Sequence, residues 1–182
     1  MAQCASWLLG IMMTSTLFSP PTWAADSAVV NFSAQISDGT CDIQLSQSAL
    51  QFGVFKVVGF QARPTVAMLP LAATVTCSGA TTPRLTVTGT TPYTSSAVFR
   101  DADSVATGAG FMVRRDTGSI DLGNFYNESI AIKNNASVPL SPVSAAGSPK
   151  NEPFLLGLVR VGSETVTPGA IKATLTFNVS FD

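Results

Sequence analysis

Ala173-Thr-Leu-Thr-Phe-Asn-Val-Ser-Phe181 alternates apolar and polar side chains without a break. Successive side chains of an extended chain point to opposite faces. Ala173, Leu175, Phe177, Val179 and Phe181 therefore form an apolar face, and Thr174, Thr176, Asn178 and Ser180 a polar one. Asp182 follows as the last residue. At a sheet edge such a strand leaves an apolar seam beside unpaired backbone groups, which proteins usually blunt or cover. On alternation alone, an ordinary closing strand of a complete sandwich is the favoured interpretation.

Further back, residues 28–36 repeat the pattern: Ala28, Val30, Phe32, Ala34 and Ile36 oppose Val29, Asn31, Ser33 and Gln35. Ser37-Asp38-Gly39-Thr40 is a turn, and strand character resumes over 41–45. Further strands are predicted over 49–55, punctuated by Gly53; over 66–77, irregular at Pro70; and over 84–88, with Leu85 and Val87 inward. Residues 111–115 and 119–122 are expected to form a hairpin around Asp116-Thr117-Gly118. Strands over 129–133, 138–143 and 154–161 follow, the second an edge or irregular strand because of Pro139 and Pro142, with a polar loop over 144–153. Thr167-Pro168-Gly169 turns the chain into the closing strand. Short strands at this spacing predict an all-β sandwich, without internal repeat or linker.

Composition agrees. The chain has 182 residues, room for one domain with a full core. Ten basic residues nearly balance eleven acidic ones, and apart from Arg114-Arg115 the cations are scattered singly, which argues against nucleic acid or an anionic membrane as partner. Arg114-Arg115 is read as a solvated strand end. Histidine is absent, which removes the usual general base and the commonest metal ligand. Glu128, Glu152 and Glu164 are expected in loops or at strand ends without a paired carboxylate motif. Asp101 and Asp103 are read as a solvated loop rather than a cation site. No catalytic residue, metal or cofactor is expected.

Residues 5–18 form an apolar run too short for a good membrane span, followed by Ser19-Pro20-Pro21 and Thr22-Trp23-Ala24. Small residues at 22 and 24 suit signal peptidase, so residues 1–24 are read as an export signal, although no Lys or Arg precedes the run. Its removal takes Cys4, Trp7 and Trp23. Cys41 and Cys77 remain, an even pair in an exported chain, for which a disulfide is the natural expectation.

Two edge-seeking strands, one early disulfide and an export signal together resemble the single-domain pilin subunits of chaperone–usher fimbriae, the type 1 fimbrial protein family. Residues 25–41 look like a pilin N-terminal extension leading into the first cysteine. Cys77 lies on a strand where the family places the second, and Gly108-Ala-Gly-Phe-Met-Val-Arg-Arg-Asp-Thr-Gly118 resembles the family's central strand and hairpin. Gly169, fourteenth from the end, and the penultimate aromatic Phe181 match the family's terminal motif. Phe181 stands where Tyr is usual, and Ala34 where the extension generally has Gly.

The resemblance implies an incomplete immunoglobulin-like β-sandwich lacking its last strand, with residues 25–37 as a donor extension and 38–182 as the pilin domain. Ala28, Val30, Phe32, Ala34 and Ile36 would be the donor strand. Gly169, Ala173, Leu175, Phe177, Val179, Phe181 and Asp182 would form the acceptor groove and contact the chaperone or the next subunit. Implied partners are a periplasmic pilus chaperone, an outer-membrane usher and neighbouring pilin subunits. The implied role is structural, as a minor or fimbrial-like subunit at the cell surface that contributes to adhesion. Two rivals stand beside it. One is a ligand-binding tip adhesin, for whose sugar stacking only Tyr93 and Tyr126 would remain as large polar aromatics. The other is an eight-stranded outer-membrane barrel, which the scarcity of Trp and Tyr for interfacial girdles disfavours.

Overall fold

The computed structural model describes residues 39–181; the expected signal, the donor segment 28–36 and Asp182 lie outside the described residues. Seven strands and one short helix follow in the order β1 (Cys41–Leu45), α1 (Val57–Ala62), β2 (Thr65–Cys77), β3 (Arg84–Thr88), β4 (Ala109–Arg115), β5 (Ser137–Pro139), β6 (Lys150–Arg160) and β7 (Thr176–Ser180). They build two antiparallel sheets, β1-β2-β6-β4 and β5-β3-β7. These two separate sheets, rather than one closed eight-stranded wall, set the barrel alternative aside.

Alternating side chains explain how the sheets meet. Leu71, Ala73, Val75 and Cys77 of β2, Val113 of β4, and Phe154 and Leu156 of β6 project into the main core, where Leu85 and Val87 of β3 meet them fully buried, as predicted. A second core covers the opposite face of the larger sheet. There Met112 and Val159 pack with Ala97, Val98, Phe125 and Ala131 from the long connections on either side of β4. Strand β4 is therefore buried on both faces and shows no alternation of burial.

Several expectations change. Residues 49–55 form no strand, with Gly53 at φ 86°, and 57–62 form a helix that buries Phe60 against Ala109, Phe111 and Leu158. Gly118 turns at φ 78° with its amide donating to Asp116 Oδ1 at 2.8 Å, yet no second hairpin strand follows over 119–122, and 129–133 forms no strand, its first residues completing a turn over 128–130. The irregularity in β2 falls between Thr65 and Ala67, not at Pro70. Strand β6 begins at Lys150, inside the expected polar loop. Strand β4 lies at the edge of its sheet rather than centrally. Its outer side is covered by Phe99, which exchanges two 2.8 Å backbone bonds with Phe111, and by the Ile132 amide, which donates to the Val113 carbonyl at 2.9 Å.

Candidate functional site: an open groove between the two sheets

Strand β1 is an edge of one sheet and β7 an edge of the other, and they face each other along one side of the sandwich. Cys41, Ile43 and Leu45 on β1 and Ala173, Leu175, Phe177, Val179 and Phe181 along the β7 rim all point toward the main core. Every one of them is only half-buried, while Leu85 and Val87 on the adjoining β3 are fully buried. Inward-facing apolar residues of a complete sandwich are covered from both sides. Here a row of them lies open along each rim.

Between the rims lies a cavity of about 450 Å³. One wall is Leu45, Leu50 and Phe52, and the other is Ile171, Ala173, Leu175 and Phe177. The floor is Leu71, Phe111, Leu156 and Leu158. Phe52 leans on Phe111 with ring centroids 5.1 Å apart, and Phe154 meets Phe177 edge-on at 6.3 Å. At the far end the Phe181 ring crosses Gly39 and Gly79; a Cβ at Gly39 would lie 2.5 Å from that ring. The Cys41–Cys77 disulfide ties β1 to β2 directly opposite one another, fixing the β1 rim to the core sheet.

Backbone direction completes the geometry. The Lys172 amide donates to Ser104 Oγ at 3.1 Å, its carbonyl accepts from the Asp101 amide at 2.9 Å, and β3 pairs along the same side from Thr176 onward. With a two-residue period, the amides and carbonyls of residues 173, 175, 177 and 179 aim at the opposite, open side. The groove thus offers apolar side chains and a row of backbone donors and acceptors together. An extended, apolar, alternating segment matches both.

Of the residues predicted for this site, Ala173, Leu175 and Phe177 line the cavity, while Val179 and Phe181 continue its rim. Gly169 does not line it. With φ 150°, Gly169 passes so close to the 105–106 backbone that a Cβ would lie 2.7 Å from the Ala106 nitrogen, so its smallness serves that approach. The opposite wall and the floor were not anticipated from sequence, although alternate Leu50 and Phe52 carried a signal for the wall.

Polar residues thought to be solvated prove to be built in. Arg114 is buried: its guanidinium donates to the Asn124 and Phe125 carbonyls at 2.8 and 2.7 Å and lies over the Phe125 ring, and burial pulls its pKa below the usual arginine range. Glu152 lies inside β6 rather than in a loop and is 1% exposed; it accepts the Ser141 amide at 2.6 Å and lies 3.5 Å from Arg115. Asp101 accepts the Thr174 amide and hydroxyl at 2.9 and 2.8 Å, whereas Asp103 is exposed and pairs with Lys172. Both tyrosine hydroxyls are engaged, Tyr93 donating to the Ala109 carbonyl at 2.8 Å and Tyr126 to Glu128 at 2.5 Å. Among the described residues, no group of three or more His, Cys, Asp or Glu could hold a metal ion.

A family model described as Fimbrial protein matches residues 30–182. The chain belongs to the fimbrial protein family. Membership places it among structural proteins rather than enzymes. The fold agrees with this. A chain from a chaperone–usher pilus structure concerned with rod uncoiling superposes with a TM-score of 0.56 at 15% identity, covering 90% of this chain and 100% of that one. The P pilus rod subunit PapA gives 0.56 at 15% identity over 78% and 99% of the two chains. A Burkholderia pseudomallei antigen and type I fimbria protein gives 0.53 at 16% identity over 79% and 99%. These similarities establish an immunoglobulin-like pilin sandwich as the fold. Comparison with curated protein sequences returned no match.

Proposed function

We propose that this fimbrial protein is a structural subunit of a chaperone–usher fimbria, in a minor or fimbrial-like position, that polymerises by donor-strand exchange. The observation that supports this best is the pair of half-exposed apolar rims facing each other across the cavity. In this proposal residues 1–24 direct export, 25–37 are the donor extension and 38–182 the pilin domain. Val30, Phe32 and Ile36 of one copy, with Ala28 and Ala34, enter the groove of the preceding subunit beside Ala173, Leu175, Phe177, Val179 and Phe181. A periplasmic chaperone fills the groove before assembly, with Asp182 available to its cationic residues. An outer-membrane usher then hands the subunit on to a surface fibre that contributes to adhesion. Among the described residues no helix is long and apolar enough to cross a membrane.

The energetics fit. Fully burying a large apolar side chain contributes about 1.5–3 kcal/mol, and a whole domain is stable by only about 5–15 kcal/mol. Three large side chains and a ladder of backbone bonds therefore separate a marginal fold from a stable one. Expressed alone in a periplasm, the chain should accumulate poorly. Co-expression with a cognate chaperone should rescue it as a one-to-one complex. A chaperone-independent monomer that resists urea would overturn the proposal. Deleting residues 25–37 should leave chaperone binding intact and abolish insertion into a preceding subunit.

A further inference from the structure

Strand β3 flanks β7 only from Thr176 to Ser180. Toward residue 170 the groove rim runs on past the end of that pairing, yet residues 171–175 still line the cavity. A loop takes the place of the missing neighbour strand. The Asp101 amide donates to the Lys172 carbonyl at 2.9 Å, and the Val105 and Ala106 amides donate to the Ala170 carbonyl at 2.8 and 3.1 Å. Ser104 Oγ accepts the Lys172 amide and donates to its carbonyl, each at 3.1 Å. The Asp101 carboxylate receives both the Thr174 amide and the Thr174 hydroxyl. Arg100 stiffens the loop from within, its guanidinium donating to the Ser104 and Ala106 carbonyls at 2.6 and 2.7 Å.

We infer that Asp101 is a positioning residue for the groove, holding residues 172–174 extended so that this end of the rim stands ready for an incoming strand. The inference rests on the strand-acceptor role proposed above. The physical basis is the two-residue period. Anchoring Lys172 and Thr174 outward turns the backbone groups of Ala173 and Leu175 toward the open side and their side chains into the cavity. Without that anchor, ordering this stretch would fall to the incoming strand and oppose its capture. Asp101 is not among the residues that line the cavity, whereas Thr174, which it holds, is one of them, so Asp101 acts through Thr174 and not by touching the occupant.

The test dilutes the full chain from urea into a fluorescent synthetic peptide of residues 25–37 and measures capture. D101A should capture the peptide about tenfold more slowly or weakly than wild type, the size expected for losing charge-assisted bonds. In the captured complex, hydrogen-exchange protection should fall at the part of the peptide beside Ala173 and persist beside Val179; general destabilisation would lower both. D101N, which keeps an acceptor, should be intermediate. T174V, which keeps Asp101 and every backbone group, should move in the same direction by less, and it carries the test if D101A fails to fold. Wild-type capture rates with even protection in D101A and T174V would overturn the inference. Absence of capture by the wild-type chain would instead sink the strand-acceptor role, and this inference with it.

Discussion

Single side chains in this molecule respond to neighbours far away in sequence. Tyr93 and Tyr126 are the only tyrosines, and burial, reinforced at Tyr126 by the Glu128 hydrogen bond, raises both phenol pKa values above the usual 10 or so. The folded chain thus favours the neutral phenols. Their contribution to stability is complete below the unfolded value and is lost as pH rises through the higher folded values. Tyrosinate absorbance should therefore titrate above the free-tyrosine range in the folded protein and return to it in urea. Gly157 offers a steric counterpart. A Cβ there would sit 2.2 Å from the Phe125 ring, so Gly157→Ala should cost about 1–3 kcal/mol by overpacking, read as a lower urea midpoint. Asp103 and Lys172 are both exposed. Each holds the other's charge, Asp103 shifted down and Lys172 up, so their pairing fades below the usual aspartate range and above the usual lysine range. Exposed pairs of this kind contribute little and weaken with salt.

Elements carry the next set of consequences. The disulfide links residues 36 apart and holds β1 in place as the far wall of the groove. Replacing Cys41 and Cys77 with serine should lower stability by about 3–4 kcal/mol in the chain-entropy account, measured by urea unfolding of the oxidised and substituted proteins. Strand β7 is different, because its inner face is only half-buried among the described residues. Phe177 touches Phe154 and lines the cavity, so Phe177→Asp places a carboxylate among apolar groups. A loss of roughly 3 kcal/mol or more is expected, with chaperone-dependent yield and assembly falling together. The strand calculus also explains what the chain pattern concealed. Residues 119–122 and 129–133 have strand-like composition, yet Ile120 and Ala131 pack with Phe125 over the outer face of the larger sheet, Ile132 turns into the main core, and β4 takes its edge partners from Phe99 and Ile132.

For the molecule as a whole, the proposed acceptor role makes stability a function of what occupies the groove. Any ligand that binds only the folded form stabilises it by mass action. A peptide of residues 25–37 at ~100 times its dissociation constant should add about 2.7 kcal/mol, seen as a urea midpoint that rises with peptide concentration. A midpoint independent of peptide would contradict the acceptor role. In the proposed function, donor and acceptor are different surfaces of one subunit, so strand donation would be head-to-tail, and such contacts propagate into an open fibre unless the rotation closes a ring.

Much of this was legible in the residues themselves. The alternation over 173–181, the inward Leu85 and Val87, the bounds of β1 and β3, and the pairing of Cys41 with Cys77 follow from local period and cysteine arithmetic, and the structure bears them out. Period two is a property of the extended backbone, so a strand's faces can be read without knowing its neighbours. Which surface covers each face is a long-range matter. Leu50 and Phe52 form the groove's other wall, Arg114 and Glu152 are buried, and Gly169 serves a close backbone approach instead of the cavity. Sequence determined that 173–181 has an apolar face; only the tertiary structure decided that this face lies open, because openness depends on residues brought from 45–52 and on a gap that no local pattern records.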